Sequence, residues 1–163
     1  MKGARPVKEN DVLYMERTRN FYRAQGYTKD YRWANHDDAP FINLDKPLNE
    51  CTVAVITTAM PDTEKGRTQR QVYSCPIDPM PSSMYTDDLS WHKNMTHTND
   101  VSSFLPLSQL RRCEADGLIG KLADRFHTVP TEYSQRNTVE NDVPEILTRC
   151  QQDSIDVAIL VPL

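Results

Sequence analysis

The sequence predicts an α/β fold, a three-layer sandwich whose mainly parallel sheet is incomplete at its C-terminal end. Two apolar segments predict strands of this sheet: residues 51–59 (CTVAVITTA) and residues 155–163 (IDVAILVPL). Apolar side chains at successive positions are typical of strands that are covered on both faces. Helical patterns lie between the strands, and such alternation favours parallel pairing.

The first 50 residues are predicted to form a helix followed by an extended arm. Residues 11–25 carry apolar side chains at loosely helical spacing; Asp11 can cap the helix, and Gly26 can end it in a left-handed turn. The segment that follows is aromatic, charged and interrupted by prolines. We therefore expect an N-terminal arm of residues 1–50 and an α/β domain of residues 51–163.

Four further elements are predicted within the domain, together with a polar segment of uncertain structure. They are a strand at 70–75, a loop or short strand at 88–104, a helix at 106–117, a short strand within 118–129 and a helix at 138–153. The helix at 106–117 has a proline near its start and a glycine at its end. The helix at 138–153 precedes the closing strand, as in half of a βαβ unit. An apolar strand of this kind is normally covered on both faces, but the loop and covering helix that would follow it are missing, so one end of the strand is expected to be bare.

Composition excludes several classes of protein. The net charge is −4 and the 19 basic residues form no long run, which argues against a nucleic-acid partner. No apolar stretch approaches the roughly 20 residues that span a bilayer, and the N-terminus lacks a secretory signal. We therefore expect a cytoplasmic protein with no membrane contact. Its four cysteines are expected to be reduced and mostly structural; they are Cys51, Cys75, Cys113 and Cys150.

The candidate catalytic residues are His92, His97 and Asp100, which lie in the polar segment WHKNMTHTND. Histidine titrates near neutral pH, so acid–base catalysis or substrate positioning is one interpretation. A metal site is a second, although a fourth ligand at an obvious spacing is missing. The third is a solvated loop that hydrogen-bonds its own backbone through neighbouring polar side chains. The residues alone leave all three open.

The remaining histidines, Cys75 and the arm around Trp33 are not expected to be catalytic. His36 is expected in a surface turn, and His127 is expected to be a satisfied, partly buried residue. Cys75 has no cation nearby in sequence, so a reactive role is not expected. The arm around Trp33 mixes aromatic and charged residues, as subunit contacts do. It could equally cover the protein's own sheet.

Several segments, taken in order, carry a family resemblance. They are ERTRNFYRAQGY, YRWANHDDAPF, VAVITTA, WHKNMTHTNDVSSFLPLSQL with its His-x4-His-x2-Asp spacing, EADGLIGKLADRFHT, and VPEILTRCQQDSIDVAILVP. Together they resemble the selenoprotein B family of the glycine, sarcosine, betaine and D-proline reductases. The chain departs from that pattern after His127. Where relatives carry a loop that contains Met-Gly, this chain has TVPTEYSQRNT.

The resemblance implies an oxidoreductase that reductively cleaves a C–N bond of a small amino compound. In that family the closing strand runs into a selenocysteine or a cysteine, followed two residues later by a second cysteine. The redox centre is thus expected immediately after Leu163, with no cofactor within the chain itself. Selenocysteine is encoded by UGA, so we expect that the chain was terminated at its own selenocysteine codon and is inactive alone.

The resemblance also implies partners: other reductase subunits in a multi-subunit complex and a thiol or disulfide electron donor. It further supports a role for His92, His97 and Asp100 beside the substrate. Two alternatives come from other classes. One is a non-catalytic binding or interaction module with the same fold, and the other is a truncated product without a function. The identity of the substrate stays open.

Overall fold

The computed structural model describes residues 13–30, 32, 34–35, 37–39, 42–89, 93–131 and 134–163. The chain divides into two compact units, Met1–Pro40 and Phe41–Leu163. The boundary expected at residue 50 from composition stays a prediction.

The first unit contains one described helix, α1 (Tyr14–Ala24). It ends at Gln25, after which Gly26 has a φ of +90°, the left-handed turn that the sequence predicts. The apolar residues of α1 are exposed. Asp11, Trp33 and His36 lie outside the described residues, so their interpretations stay predictions.

The second unit is built on two sheets. Its described strands are β1 (Thr52–Thr57), β2 (Met60–Pro61), β3 (Tyr73–Pro76), β4 (Met84–Tyr85), β5 (Lys121–Leu122), β6 (Arg125–Thr128) and β7 (Val157–Val161). β1 is central: β7 pairs along one edge, while β5 and β6 pair with successive parts of the other edge, all in parallel. β3 joins β6 antiparallel, and β2 pairs with β4 in a separate ribbon. The predicted α/β class with a mainly parallel sheet is confirmed.

Short helices connect these strands. They are α2 (Glu64–Thr68), α3 (Leu107–Ala115), α4 (Gln135–Asn137) and α5 (Val143–Gln152), with 3₁₀ turns at Leu48–Glu50 and Val101–Ser103 and a π-helical stretch at Thr138–Asp142. Pro144 lies in the first turn of α5, directly after the π-helical stretch. Gly117 follows α3 with a φ of +70°, as the helix-end pattern predicts. Among the described helices, none combines the length and apolarity needed to cross a bilayer.

Both faces of β1 are covered. Val53 and Val55 belong to the main core, which also contains Phe104, Leu107 and Phe126 on the α3 side of the sheet. Ile56 points to the other face, where it lines a groove together with residues of α5. Because side chains alternate along a strand, α3 and α5 lie on opposite faces of the sheet. The arrangement therefore has three layers.

Coverage of β7 is incomplete. Val157, Ile159 and Val161 pack against the core on the α3 side, but Leu160 is 69% exposed on the other. The groove between α5 and this face has a volume of about 560 Å³ and is mostly apolar. β1 is thus covered on both faces, whereas Leu160 of β7 is left exposed because α5 does not extend over it.

Several elements differ in detail from the predictions. The strand expected at 70–75 spans Tyr73–Pro76, and the first five residues of the helix expected at 138–153 form the π-helical stretch Thr138–Asp142. The ribbon of β2 and β4 was not predicted. Each of its strands has only two residues, too few for an alternating pattern to be visible in the sequence.

The core position of Phe126 provides a test of this architecture. Its side chain is 1% exposed and lies in the main core cluster. We expect Phe126→Ala to lower the free energy of unfolding by about 3–5 kcal/mol, because a large buried side chain is replaced by a cavity. Leu118→Ala, at a residue that is 60% exposed, should change it by less than about 0.5 kcal/mol. Urea denaturation measures both; equal effects would contradict the described core.

Candidate functional site

A crevice of about 450 Å³ opens beyond the carboxyl ends of three parallel strands. Thr58 follows β1, Pro130 and Thr131 follow β6, and Leu163 follows β7; all four residues line the crevice. In open α/β sheets, ligands bind beyond the carboxyl ends of the strands. The crevice is therefore the candidate functional site.

A close backbone approach builds one wall of the crevice. Gly66 of α2 packs against Pro61 so tightly that an added Cβ would lie 2.0 Å from the Pro61 carbonyl oxygen. Thr63 caps the helix: its Oγ1 accepts a hydrogen bond from the Gly66 N–H at 3.0 Å. Only glycine permits this approach, and it places the next residue, Arg67, on the crevice wall.

Arg67 is held in place from two sides. Its Nη2 donates to Asp62, and its Cζ lies 4.9 Å from the centroid of the Tyr85 ring. Ser83 also donates to Asp62, at 2.7 Å. The Ser83 hydrogen bond and the Arg67 charge together hold the pKa of Asp62 below its ordinary value. Arg67 is thus a positioned cation whose side chain remains 48% exposed.

Two further charged residues line the crevice. Arg70 donates from Nη2 to the Thr131 carbonyl oxygen at 3.0 Å, which ties the segment after α2 to the segment after β6. Asp88 accepts a hydrogen bond from the Tyr85 hydroxyl, and this bond raises the pKa of Tyr85. The described lining therefore carries two guanidinium groups and one carboxylate.

Two of the three residues predicted as catalytic are described, and both lie outside this lining. His97 is exposed, and its Nδ1 accepts a hydrogen bond from the Asn99 N–H at 3.3 Å. Asp100 accepts from the Ser102 N–H at 3.1 Å and caps a 3₁₀ turn. Both side chains thus bond the backbone of their own segment. His92 lies outside the described residues, so a catalytic role for the three together stays a prediction.

The segment that carries His97 and Asp100 is nevertheless attached to the crevice. Thr86 lines the crevice and is buried, and its Oγ1 lies 2.7 Å from the Oγ1 of Thr98. This hydrogen bond fixes the middle of the segment against one wall. A change of conformation in the segment would therefore move Thr86 and alter the wall of the crevice.

Burial disfavours reactivity at three of the four thiols, those of Cys51, Cys75 and Cys150. All four cysteines are free, and Cys51 is fully buried. Burial raises the pKa of Cys75 and of Cys150 above the ordinary value, which disfavours the reactive thiolate. Within the described part of the chain, no group of three His, Cys, Asp or Glu residues is placed to share a metal ion.

The sequence patterns did not identify three charged residues that line the crevice: Arg67, Arg70 and Asp88. The polar, glycine-bearing loop that follows β1 could have indicated Arg67 and Arg70. Loops after parallel strands carry ligand sites in this fold class. Asp88 has no comparable signal, because the ribbon that positions it was not predicted.

Comparisons with known proteins supply no relative for this chain. No family model, curated protein or solved structure matches it. Two indications of what the crevice binds remain: its charges, and the sequence segments that resemble the selenoprotein B family.

His127, which was expected to be partly buried, is fully buried on β6. Burial lowers its pKa below the ordinary value, and Asp153 opposes this only in part. The neutral imidazole is therefore the form that the folded protein contains at neutral pH.

This burial predicts how stability depends on pH. Below about pH 6.5 the unfolded state protonates His127 while the folded state does not, so the unfolded state binds more protons. We expect the free energy of unfolding to decrease from about pH 6.5 to pH 5, by at most about 1.4 kcal/mol per pH unit. Asp62 and Asp153 have lowered pKa values and titrate below this interval. Urea denaturation of the protein and of His127→Gln measures the slope; equal slopes would contradict the assignment.

Proposed function

We propose that this chain is the scaffold and substrate-binding part of a cytoplasmic selenoprotein B-type reductase. Such an oxidoreductase cleaves a C–N bond of a small amino compound, in the manner of the glycine, sarcosine, betaine and D-proline reductases. One observation supports the proposal beyond the resemblance of the sequence segments. It is the pattern of charges that lines the crevice at the carboxyl ends of β1, β6 and β7.

The charges of the crevice complement a small zwitterion. A guanidinium group offers parallel N–H donors that match a carboxylate, so Arg67 and Arg70 would bind the carboxylate of an amino acid. Asp88 would balance the ammonium or quaternary ammonium group. The crevice volume of about 450 Å³ lies in the range of small-molecule sites. The described residues would thus bind and orient the substrate.

The redox centre is proposed to come from residues that follow Leu163 in a longer product. Leu163 lines the crevice, and its N–H donates to the Thr58 Oγ1 at 2.9 Å. Residues that continue from there would begin beside the bound substrate. A selenol paired with a resolving thiol supplies a soft nucleophile that is ionised at neutral pH.

The proposed assembly includes other reductase subunits and a thiol or disulfide electron donor. The apolar groove beside Leu160, whose side chain is 69% exposed, is compatible with burial in such an assembly. In this proposal the chain works within an oligomer.

Binding of zwitterions tests the role of the crevice. We expect glycine, sarcosine, betaine or D-proline to shift NMR signals of crevice residues in the 163-residue chain. Arg67→Gln should weaken that binding about 10- to 100-fold, because hydrogen bonds to a charged group are worth about 1.5–3 kcal/mol. Arg111→Gln removes an exposed arginine outside the crevice and is the matched control. Unchanged binding in Arg67→Gln would contradict the proposal.

Turnover tests the redox part separately. The 163-residue chain with dithiothreitol should show no reductase activity, whereas a product extended through selenocysteine and the second cysteine should show it. The DNA after the codon for Leu163 is expected to read TGA (UGA in the messenger RNA), followed in frame by a further βα-type sequence. A different stop codon would contradict the proposed extension. Zwitterion binding without turnover in the extended product would favour the non-catalytic binding module.

A further inference from the structure

A second polar cluster joins β3, β6 and the C-terminal end of α5. Ser74 of β3 and His127 of β6 lie 53 residues apart in sequence, and the Ser74 Oγ is 2.8 Å from the His127 Nδ1. Neither residue lines the crevice. Ser74 is half-buried, whereas the His127 side chain has no exposed surface. The cluster is therefore separate from the proposed substrate site.

Two hydrogen bonds place the Ser74 hydroxyl between Arg149 and His127. Arg149 of α5 donates from Nη1 to the Ser74 Oγ at 2.8 Å. A guanidinium can only donate, so the Ser74 hydroxyl accepts from Arg149 and keeps its own hydrogen for a second bond. In the tautomer that carries the ring proton on Nε2, the His127 Nδ1 accepts that hydrogen. In this tautomer Ser74 donates its proton to a buried base.

The other side of the imidazole faces a carboxylate. The His127 Nε2 lies 3.7 Å from the Asp153 Oδ2, and it makes no hydrogen bond within the described residues. Arg125 holds Asp153 with two hydrogen bonds, from Nε at 3.0 Å and from Nη2 at 2.6 Å. These bonds lower the pKa of Asp153. A hydroxyl, a base and an ionised carboxylate thus follow one another in order.

We propose that Ser74 is a nucleophilic serine that takes an acyl group from small activated esters, with His127 as its general base. The Ser74 Oγ attacks the ester carbonyl carbon while its proton passes to the His127 Nδ1. The bond from the carbonyl carbon to the leaving alkoxide breaks, and that alkoxide takes the proton from His127. Water later hydrolyses the acyl-serine by the same route and releases the acid.

The surroundings of Ser74 favour this direction of attack. β3 pairs with β6 alone among the described strands, so Ser74 lies on an edge of the sheet, while His127 is sealed beneath it. The Arg149 charge beside Oγ stabilises negative charge that develops on that oxygen. Asp153 lies where it can stabilise the imidazolium that forms on proton transfer. A small ester can reach the hydroxyl only from the open side.

The cluster could instead have a purely structural role, in which the same hydrogen bonds hold α5 against the sheet. The structural and the catalytic role differ in one observable, which is whether the Ser74 hydroxyl reacts. A structural network would leave Ser74 no more reactive than other serines. Ser108 provides the comparison, because it is exposed on α3 and bonds only its neighbour Gln109 among the described contacts.

The experiment treats the 163-residue chain with p-nitrophenyl acetate and, separately, with a fluorophosphonate. Peptide mass mapping then locates the adduct, in native buffer and in urea. We expect an adduct on Ser74 that forms only in the folded chain, and none on Ser108. Ser74→Ala should abolish it, and His127→Gln should slow it about 100-fold, the contribution typical of a general base. Ser108→Ala should react like the unmodified chain.

The proposal is overturned if the folded chain carries no adduct on Ser74, or if the adduct forms equally fast in urea. It is also overturned if a folded His127→Gln variant reacts at the original rate. Thermal unfolding reports whether each variant is folded. If His127→Gln does not fold, adduct formation on Ser74 is compared between native buffer and urea in the chain without substitutions. That comparison still tests whether the reactivity of Ser74 requires the fold. The result is independent of the reductase proposal, since acylation of Ser74 needs neither the crevice nor a redox centre.

Discussion

Burial of β1 on both faces is the constraint on which the rest of the second unit depends. A strand with Val53 and Val55 on one face and Ala54 and Ile56 on the other leaves few polar groups that could face water. Helices must then cover both faces, and parallel neighbours must satisfy both edges. The positions of α3, α5, β6 and β7 follow from this requirement, and the carboxyl ends of β1, β6 and β7 meet at one edge of the sheet.

The described part of this unit concentrates polar groups in two separate places. Where β1, β6 and β7 end, the chain leaves a crevice whose walls carry Arg67, Arg70 and Asp88. On the face beneath α5, the antiparallel β3 brings Ser74 to His127, and Arg149 and Asp153 close the cluster from the helix end. The first site is charged and open. The second is centred on the fully buried His127.

The sequence predicts those parts of the fold that short-range patterns determine. The run VAVIT predicts β1, and the glycines at 26 and 117 predict two helix ends, because these signals act over a few residues. A closing strand without full cover could be predicted as well, but not that Leu160 is the exposed residue, since this depends on how far α5 extends over the sheet. The crevice charges and the pair of Ser74 with His127 depend on contacts between distant segments. Only the fold brings them together, and no local pattern records them.

A crystal structure of the 163-residue chain in complex with D-proline tests the central claim most directly. The account predicts one bound molecule in the crevice, with its carboxylate within hydrogen-bond distance of Arg67 or Arg70 and its ring nitrogen toward Asp88. A ligand bound anywhere else, or a crevice that the chain fills with its own side chains, would contradict it.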